Sequence, residues 1–411
     1  MTKPRFYIYN DWFFNSFELT FSIYRGIMNN FEYCNPVKIV FGKGKIARLK
    51  ELIPADSKVL MIYGGGSIKK NGVYEQVKHA LSQHNVIEFS GVEPNPEYST
   101  LMKAVELVKT KGINFLLSVG GGSVLDGTKF IAAAATYSGQ DPWDILAKQA
   151  PVVKALPLAD VITLPATGSE MNSFAVISRR ENKEKLAFAS PLVFPVFSII
   201  DPTVTFSLPI RQVANGIADT FVHVVEQYVT HRANNPLQDR QAEALLLALK
   251  DEAPKVFENP EDYETRANIF WMASQALNGW LNVGAPQCWA THNIGHELTA
   301  QTGVDHGRSL ALVLPGVWRS QRKEKADKII QLGRRVFGVS EADSDKAIDL
   351  TIEAVKGFFM SLGIKATKEE YGVTDEIINE VARIIDSRGV KFGDLGNIDG
   401  KKIVEILNLC D

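Results

Sequence analysis

Thiolate clusters, a field of one sign and long apolar runs are all missing from this chain of 411 residues. The three cysteines, Cys34, Cys288 and Cys410, lie far apart and form no CxxC pair. That spacing excludes a thiolate zinc cluster and offers no disulfide framework. A net charge of -2 supplies no broad basic surface, so neither nucleic acid nor an anionic membrane is an expected partner. No apolar run reaches the ~18 residues that cross a bilayer, and the cytosol is the default location. The GxGxxG fingerprint of dinucleotide sites is absent as well, and there is no internal repeat or low-complexity tract. What remains, 45% hydrophobic and 22% charged residues, is ordinary globular composition. The length favours two domains.

Residues 1–27 stand apart, with nine aromatic side chains between Phe6 and Tyr24. Asn10, Asp11, Asn15, Glu18 and Arg25 break any apolar core of a secretory signal. The alternation from Phe13 to Ile23 suits a strand that nothing downstream asks for. Met28 is the expected start of the protein, with 1–27 an unexplained extension.

From Val37 to Leu164, strand-like runs (Val37–Phe41, Val59–Tyr63, Val86–Ser90, Asn114–Val119) alternate with helix-like ones (Gly72–Gln83, Tyr98–Lys111). This rhythm predicts a parallel sheet with helices on both faces. The pattern changes near Asp201-Pro202 and Leu208-Pro209. Beyond it the period is helical: Pro209–Thr230, Pro236–Phe257, Asp262–Leu281 and Pro286–Gln301, with Pro209, Pro236 and Pro286 each expected in a first turn. The fold class is therefore an α/β domain with a parallel sheet over 28–205 followed by an all-helical domain over 206–411.

Two Gly-Gly-Gly-Ser loops, Gly64–Ser67 and Gly120–Ser123, each follow an apolar strand. Glycine lets a backbone approach a phosphate, and amides at a helix start face negative charge; a plain tight turn is the alternative meaning. The stretch Thr163-Leu164-Pro165-Ala166-Thr167-Gly168-Ser169-Glu170 adds hydroxyls that either serve the same ligand or cap the next helix. In the helical half, Asp219 and His223 are four apart and share one otherwise apolar helix face. Burying a carboxylate beside an imidazole is costly, and a divalent cation would compensate both. His292, His296 and His306 follow in one short window. Taken singly, each is as well explained by a hydrogen bond; together, hard oxygen and borderline nitrogen suit Fe²⁺ or Zn²⁺. The other three of the seven histidines, His79, His84 and His231, read as solvated surface residues.

These residues resemble the iron-containing (group III) alcohol dehydrogenases, and within them the butanol dehydrogenase and NADPH-dependent aldehyde reductase branch. The likeness runs from about Met28 to the C-terminus. It is carried by Phe41-Gly42-Lys43-Gly44, Pro94-Asn95-Pro96, Gly120–Ser123 with Asp126 and Lys129, the Thr163–Glu170 stretch, and Gly307-Arg308-Ser309 before Leu314-Pro315. The resemblance implies the dehydroquinate synthase-like fold of that family, with Asp219, His223, His292 and His306 binding the metal. It implies dinucleotide contacts at Gly65, Gly66, Ser67, Asn95, Gly121, Gly122, Ser123, Thr163, Thr167 and Lys185. Asp126 would lie near the nicotinamide. His296, one turn after His292, would sit beside the metal, either relaying a proton and orienting the ligands or simply bonding within the core.

The implied activity is hydride transfer between a nicotinamide cofactor and a small primary alcohol or aldehyde. No carboxylate closes the strand Val59–Tyr63, and Lys69 and Lys70 follow it; this favours NADP(H), with NAD(H) the alternative. A homodimer through the nucleotide domain is also implied. A glycerol-dehydrogenase-like polyol oxidoreductase would carry a different ligand set. A non-catalytic nucleotide-binding protein would leave the Asp/His constellation unused, and a metal hydrolase would leave the glycine loops unexplained.

Overall fold

A computed structural model describes residues 28–231 and 233–410. The expectation about 1–27 lies outside the described residues. In chain order the strands are β1 (Lys38–Phe41), β2 (Lys58–Tyr63), β3 (Asn85–Phe89), β4 (Phe115–Gly120), β5 (Leu158–Ile162), β6 (Phe174–Arg179), β7 (Glu184–Ala189) and β8 (Phe197–Ile200). Helices α1 (Leu49–Leu52), α2 (Ser67–Lys70), α3 (Val73–Ala80), α4 (Tyr98–Lys111), α5 (Gly122–Ala134) and α6 (Asp144–Ala147) are interleaved with them. After β8 the regular elements of the described residues are all helices: α7 (Ile210–Tyr228), α8 (Pro236–Glu258), α9 (Tyr263–Ala276), α10 (Ala290–Thr302), α11 (His306–Ser320), α12 (Ala326–Val336), α13 (Ser344–Ser361), α14 (Asp375–Arg388) and α15 (Gly400–Asn408), with two 3₁₀ turns, Pro202–Thr205 and Glu369–Tyr371. None of the described helices is long and apolar enough to cross a membrane.

Six strands form a parallel sheet in the order β1-β8-β5-β4-β2-β3. Its middle strands are apolar at nearly every position because both faces are covered. Val59, Met61, Phe115, Leu117 and Val119 pack with Ile46, Leu49, Val73 and Val77 on one face. Leu60, Ile62 and Leu116 pack on the other with Leu101 and Val105 of α4 and Leu125 and Ile131 of α5. From β2 the chain winds outward to β3, then returns to the opposite flank of β2 as β4. The reversal opens a crevice at the carboxyl ends of β2 and β4, where α/β sheets bind ligands. Both glycine loops stand there.

The helical half has its own core, centred on α7, which is buried from Val213 to Tyr228. Ile217, Phe221 and Val225 pack with Leu310, Leu314 and Val317 of α11 and with Ile352, Val355 and Phe359 of α13. The two halves meet closely at Gly216. A Cβ at that position would lie 2.2 Å from the Pro165 carbonyl oxygen, so α7 and the loop after β5 touch main chain to main chain.

Two expected helix boundaries are corrected. The helix expected over Asp262–Leu281 ends at Ala276, and that expected from Pro286 starts at Ala290. Gly279 and Gly284, at φ of 85° and 68°, turn the chain between them as L-residues rarely do. Leu277, Leu281, Ala285 and Cys288, spaced by four, four and three, imitate a helical pattern. Pro286 consequently lies in the loop and Pro209 just before α7, while Pro236 does open its helix. The antiparallel β6–β7 pair, unforeseen from the sequence, packs against α5 and α10 and so bridges the halves.

Candidate active site

Helix α7 carries Asp219 and His223 on one face; α10 carries His292 and His296, and His306 is the first residue of α11. All three helices converge. Asp219 Oδ1 lies 3.5 Å from His223 Nε2, 3.6 Å from His292 Nε2 and 3.8 Å from His306 Nε2. Ligand atoms of Asp219, His292 and His306 all lie within 4.8 Å of one another. His223 reaches the group through Asp219, with its ring stacked on His292 at 4.6 Å. Two ligands bound at ~2.1 Å to one tetrahedral ion are themselves ~3.4 Å apart, close to these separations.

The donor atoms fit a cation by a second measure. Asp219 Oδ1 and His292 Nε2 are buried and have no hydrogen-bond partner, a costly state unless something else meets them. The protonation pattern agrees. Burial alone would raise the Asp219 carboxyl, yet the imidazoles of His223, His306 and His292 hold it well below the usual carboxylate range. Burial lowers His223 to about 4. For His292 burial also acts downward, but Asp219 and Glu226 outweigh it and raise the ring to about 9.

The remaining expected residues gather above this centre. Gly65 and Ser67 are exposed at the end of β2, and Ser67 begins α2. Gly121 caps α5, and Gly122 and Ser123 form its first turn. A Cβ on Gly122 would lie 2.4 Å from Thr167 Oγ1, so only glycine lets the loop after β5 close over the start of α5. Thr163 N–H donates to the Gly120 carbonyl at 2.9 Å, and Asn95 N–H reaches Ser123 Oγ at 3.4 Å from a left-handed φ of 57°. The loops after β5, β4 and β3 are therefore in contact, and Gly91 N–H, donating to the Gly64 carbonyl at 3.1 Å, joins the loop after β2 to them. Lys185, on β7, is buried and feels the charge of Asp219. Burial lowers its ammonium to about 8, against the opposing fields of Asp219, Asp126 and Glu297. Asp126 has both oxygens engaged, Oδ1 by Ser169 Oγ at 2.7 Å and Oδ2 by Val176 N–H at 2.9 Å. His296 is half-buried, its ring 4.8 Å from His306. Burial first, then the Lys185 charge, keep its imidazole neutral.

Two members of the site were not foreseen. Glu226, one turn beyond His223, hydrogen-bonds His292; Trp289, at the start of α10, sets its ring 5.2 Å from His292 and 6.2 Å from His223. The i+7 spacing from Asp219 was the available signal for Glu226. Two of the three remaining histidines are also less solvated than expected. His231 is half-buried and bonds Asp394 at 3.0 Å, and His84 meets the Ile53 carbonyl at 3.2 Å; His79 is exposed.

Comparison with known proteins gives a consistent result. Residues 36–202 match the model for iron-containing alcohol dehydrogenase, and residues 213–409 that for the C-terminal part of the Fe-containing alcohol dehydrogenase family. The chain is 51% identical over 365 residues to the NADPH-dependent aldehyde reductase YqhD of Escherichia coli K12, covering 88% of this chain and 94% of that protein. A crystal structure of YqhD matches with a TM-score of 0.92 at 48% identity, covering 94% of this chain and 100% of that one. A probable NADH-dependent butanol dehydrogenase of Bacillus subtilis strain 168 is 44% identical, over 92% of this chain and 99% of that protein. The structure of an NADH-dependent butanol dehydrogenase A from Thermotoga maritima matches with a TM-score of 0.89 at 36% identity, covering 94% and 99% of the two chains.

Proposed function

The chain belongs to the iron-containing alcohol dehydrogenase family and is an alcohol dehydrogenase/aldehyde reductase in kind; from that premise we propose that it interconverts small primary alcohols and aldehydes, of butanol and butyraldehyde size, with NADP(H) and one divalent cation, Fe²⁺ or Zn²⁺. The cation would be held by Asp219, His223, His292 and His306. The observation that carries this is the pair of unpartnered buried atoms, Asp219 Oδ1 and His292 Nε2, facing each other at 3.6 Å. When bound, the cation supplies Lewis acidity toward the substrate oxygen and the dinucleotide supplies or accepts the hydride.

The chain's own residues do the rest. The loops of Gly65, Gly66 and Ser67, of Gly121, Gly122 and Ser123, and of Thr163 and Thr167 present backbone amides and hydroxyls to a dinucleotide, with Asn95 beside them. Lys185 supplies positive charge at the metal end. Asp126 braces this wall by holding Ser169 and the Val176 amide. His296, neutral and next to His306, is placed to take or return the proton that accompanies hydride transfer. The preference for NADP(H) rests on Lys69, whose ammonium stands 5.2 Å over the Tyr63 ring and 5.0 Å over that of Tyr74. The nearby Glu88 is tied back by Tyr63, Tyr74 and Lys78 at 3.1, 2.9 and 2.9 Å, so no free carboxylate faces a 2′-phosphate. The α/β domain over 28–205 binds the dinucleotide in this reading, the helical domain over 206–411 binds the metal, and β1 leaves a sheet edge where a homodimer can form.

Purified protein reconstituted with Fe²⁺ or Zn²⁺ should bind one ion per chain and reduce short aldehydes faster with NADPH than with NADH. Full turnover after complete metal removal would refute the assignment.

A further inference from the structure

Glu226 sits on α7, seven residues beyond Asp219 and three beyond His223, and therefore on the same helix face. It is 2% exposed. Its carboxylate accepts three hydrogen bonds, all from the start of α10: Thr291 N–H at 2.7 Å, His292 N–H at 3.1 Å and His292 Nδ1 at 2.5 Å. Its backbone carbonyl accepts a fourth, from Cys288 N–H at 2.9 Å. One residue thus grips the chain on both sides of Trp289, which holds φ at 54°, a conformation that L side chains adopt only when their surroundings impose it.

The chemistry of the bond to His292 is one-sided. Both Glu226 oxygens already accept from backbone N–H groups, so the hydrogen of the bond to His292 belongs on Nδ1, which leaves Nε2 as the ring nitrogen with a lone pair to offer a cation. Nε2 is the nitrogen that faces Asp219 Oδ1 with no other partner. The first amides of α10, which the helix itself leaves unpaired, are satisfied by the same group.

We propose that Glu226 is the positioning residue of the metal centre: it fixes His292 in the Nδ1–H tautomer and clamps the start of α10, so that Nε2 faces the other ligands before a cation arrives. The inference rests on the reading of Asp219, His223, His292 and His306 as a cation site. It goes beyond that reading by making ion affinity depend on a residue that never touches the ion. A purely structural role would instead cost stability and leave the affinity alone.

Glu243 supplies the contrast. It is a buried carboxylate on α8, bonded to Tyr228 at 2.8 Å, Arg240 at 2.8 Å and Arg335 at 2.7 Å, and it contacts none of the metal-site residues through these bonds. Metal-free wild type, Glu226→Gln and Glu243→Gln would be titrated with Zn²⁺ against a competing chelator, and with Co²⁺ while its visible absorption is followed. Glu226→Gln should bind Zn²⁺ ~10–100-fold more weakly and give an altered Co²⁺ spectrum, whereas Glu243→Gln should match wild type in both. Wild-type affinity in Glu226→Gln overturns the proposal. No uptake by wild type overturns the cation-site reading itself, a distinguishable result. Should Glu226→Gln fail to fold, the ¹⁵N-histidine spectrum of the Zn²⁺-loaded wild type decides. A proton on Nδ1 of His292 and the ion on Nε2 support the clamp; the reverse arrangement overturns it.

Discussion

The two halves build their parts of the site from different material. At the ends of β2, β4 and β5 the working surface is mostly main chain, shaped by where side chains are missing; in α7, α10 and α11 it is imidazole and carboxylate, aimed by helical repeat. A site made of backbone is damaged by adding atoms. A site made of side chains is damaged by removing them. The contrast also separates two binding events, so a change in one half should leave the other half's ligand in place.

The sharpest test of that separation is His292→Ala. Losing a ligand should lower kcat/KM by about three orders of magnitude, the scale of several kcal/mol of charge stabilisation, while NADPH binding followed by its fluorescence stays near the wild-type value. Simultaneous loss of nucleotide binding would show that the halves do not act separately. The mirror experiment is Gly122→Val, whose added side chain enters the space of Thr167. Overpacking of ~1–3 kcal/mol corresponds to about a five- to 150-fold loss of nucleotide affinity, read by calorimetry, with Zn²⁺ uptake unchanged. A smaller effect belongs to Lys69→Glu. Reversing one exposed charge should shift the NADPH:NADH ratio of kcat/KM toward NADH by roughly tenfold or less; an unchanged ratio would move the specificity elsewhere, with Lys70 next in line.

The weakest effect at the site, though not on the fold, is expected from Asp394→Asn. Burial alone would raise the Asp394 carboxyl, but the bonds from His231 and the buried Lys325 ammonium, at 3.0 and 2.6 Å, hold it well below the usual carboxylate range. A carboxyl depressed in the folded state contributes stability that is complete above its unfolded pKa of ~3.9 and fades as pH falls below that. Replacing it strands Lys325, so urea unfolding at neutral pH should show a loss of ~3 kcal/mol. The variant should also lose less stability than wild type between pH 5 and 3. Activity at neutral pH in the absence of denaturant should change little.

The same contrast explains what could be read from sequence. Glycine triplets after apolar runs announced the crevice, because a loop that must admit a ligand main chain to phosphate advertises itself by lacking side chains. Asp219 and His223 announced the face of α7 that meets His292 and His306 through their four-residue spacing on an apolar helix. Glu226 was marked only by its i+7 spacing from Asp219, since its meaning lies in α10, 66 residues away, and local periodicity says nothing about a partner at that distance. The β6–β7 pair was hidden for a related reason. It turns through Arg180–Asn182, a short 3₁₀ helix whose left-handed position falls on Lys183 rather than on a glycine, so Asn182 alone marks the turn between its strands. Between Ala276 and Ala290 the apolar residues kept helical spacing while Gly279 and Gly284 carried the real instruction.

The contact between Gly216 and Pro165 has a mechanical consequence. It is a bearing of main chain with only the Ala166 methyl beside it, so the loop after β5 and α7 are seated against each other without any rotamer to take up slack. A methyl group there is a wedge. Gly216→Ala should leave each half able to load its own ligand while pushing the reacting carbons apart, and turnover would fall with both affinities nearly native.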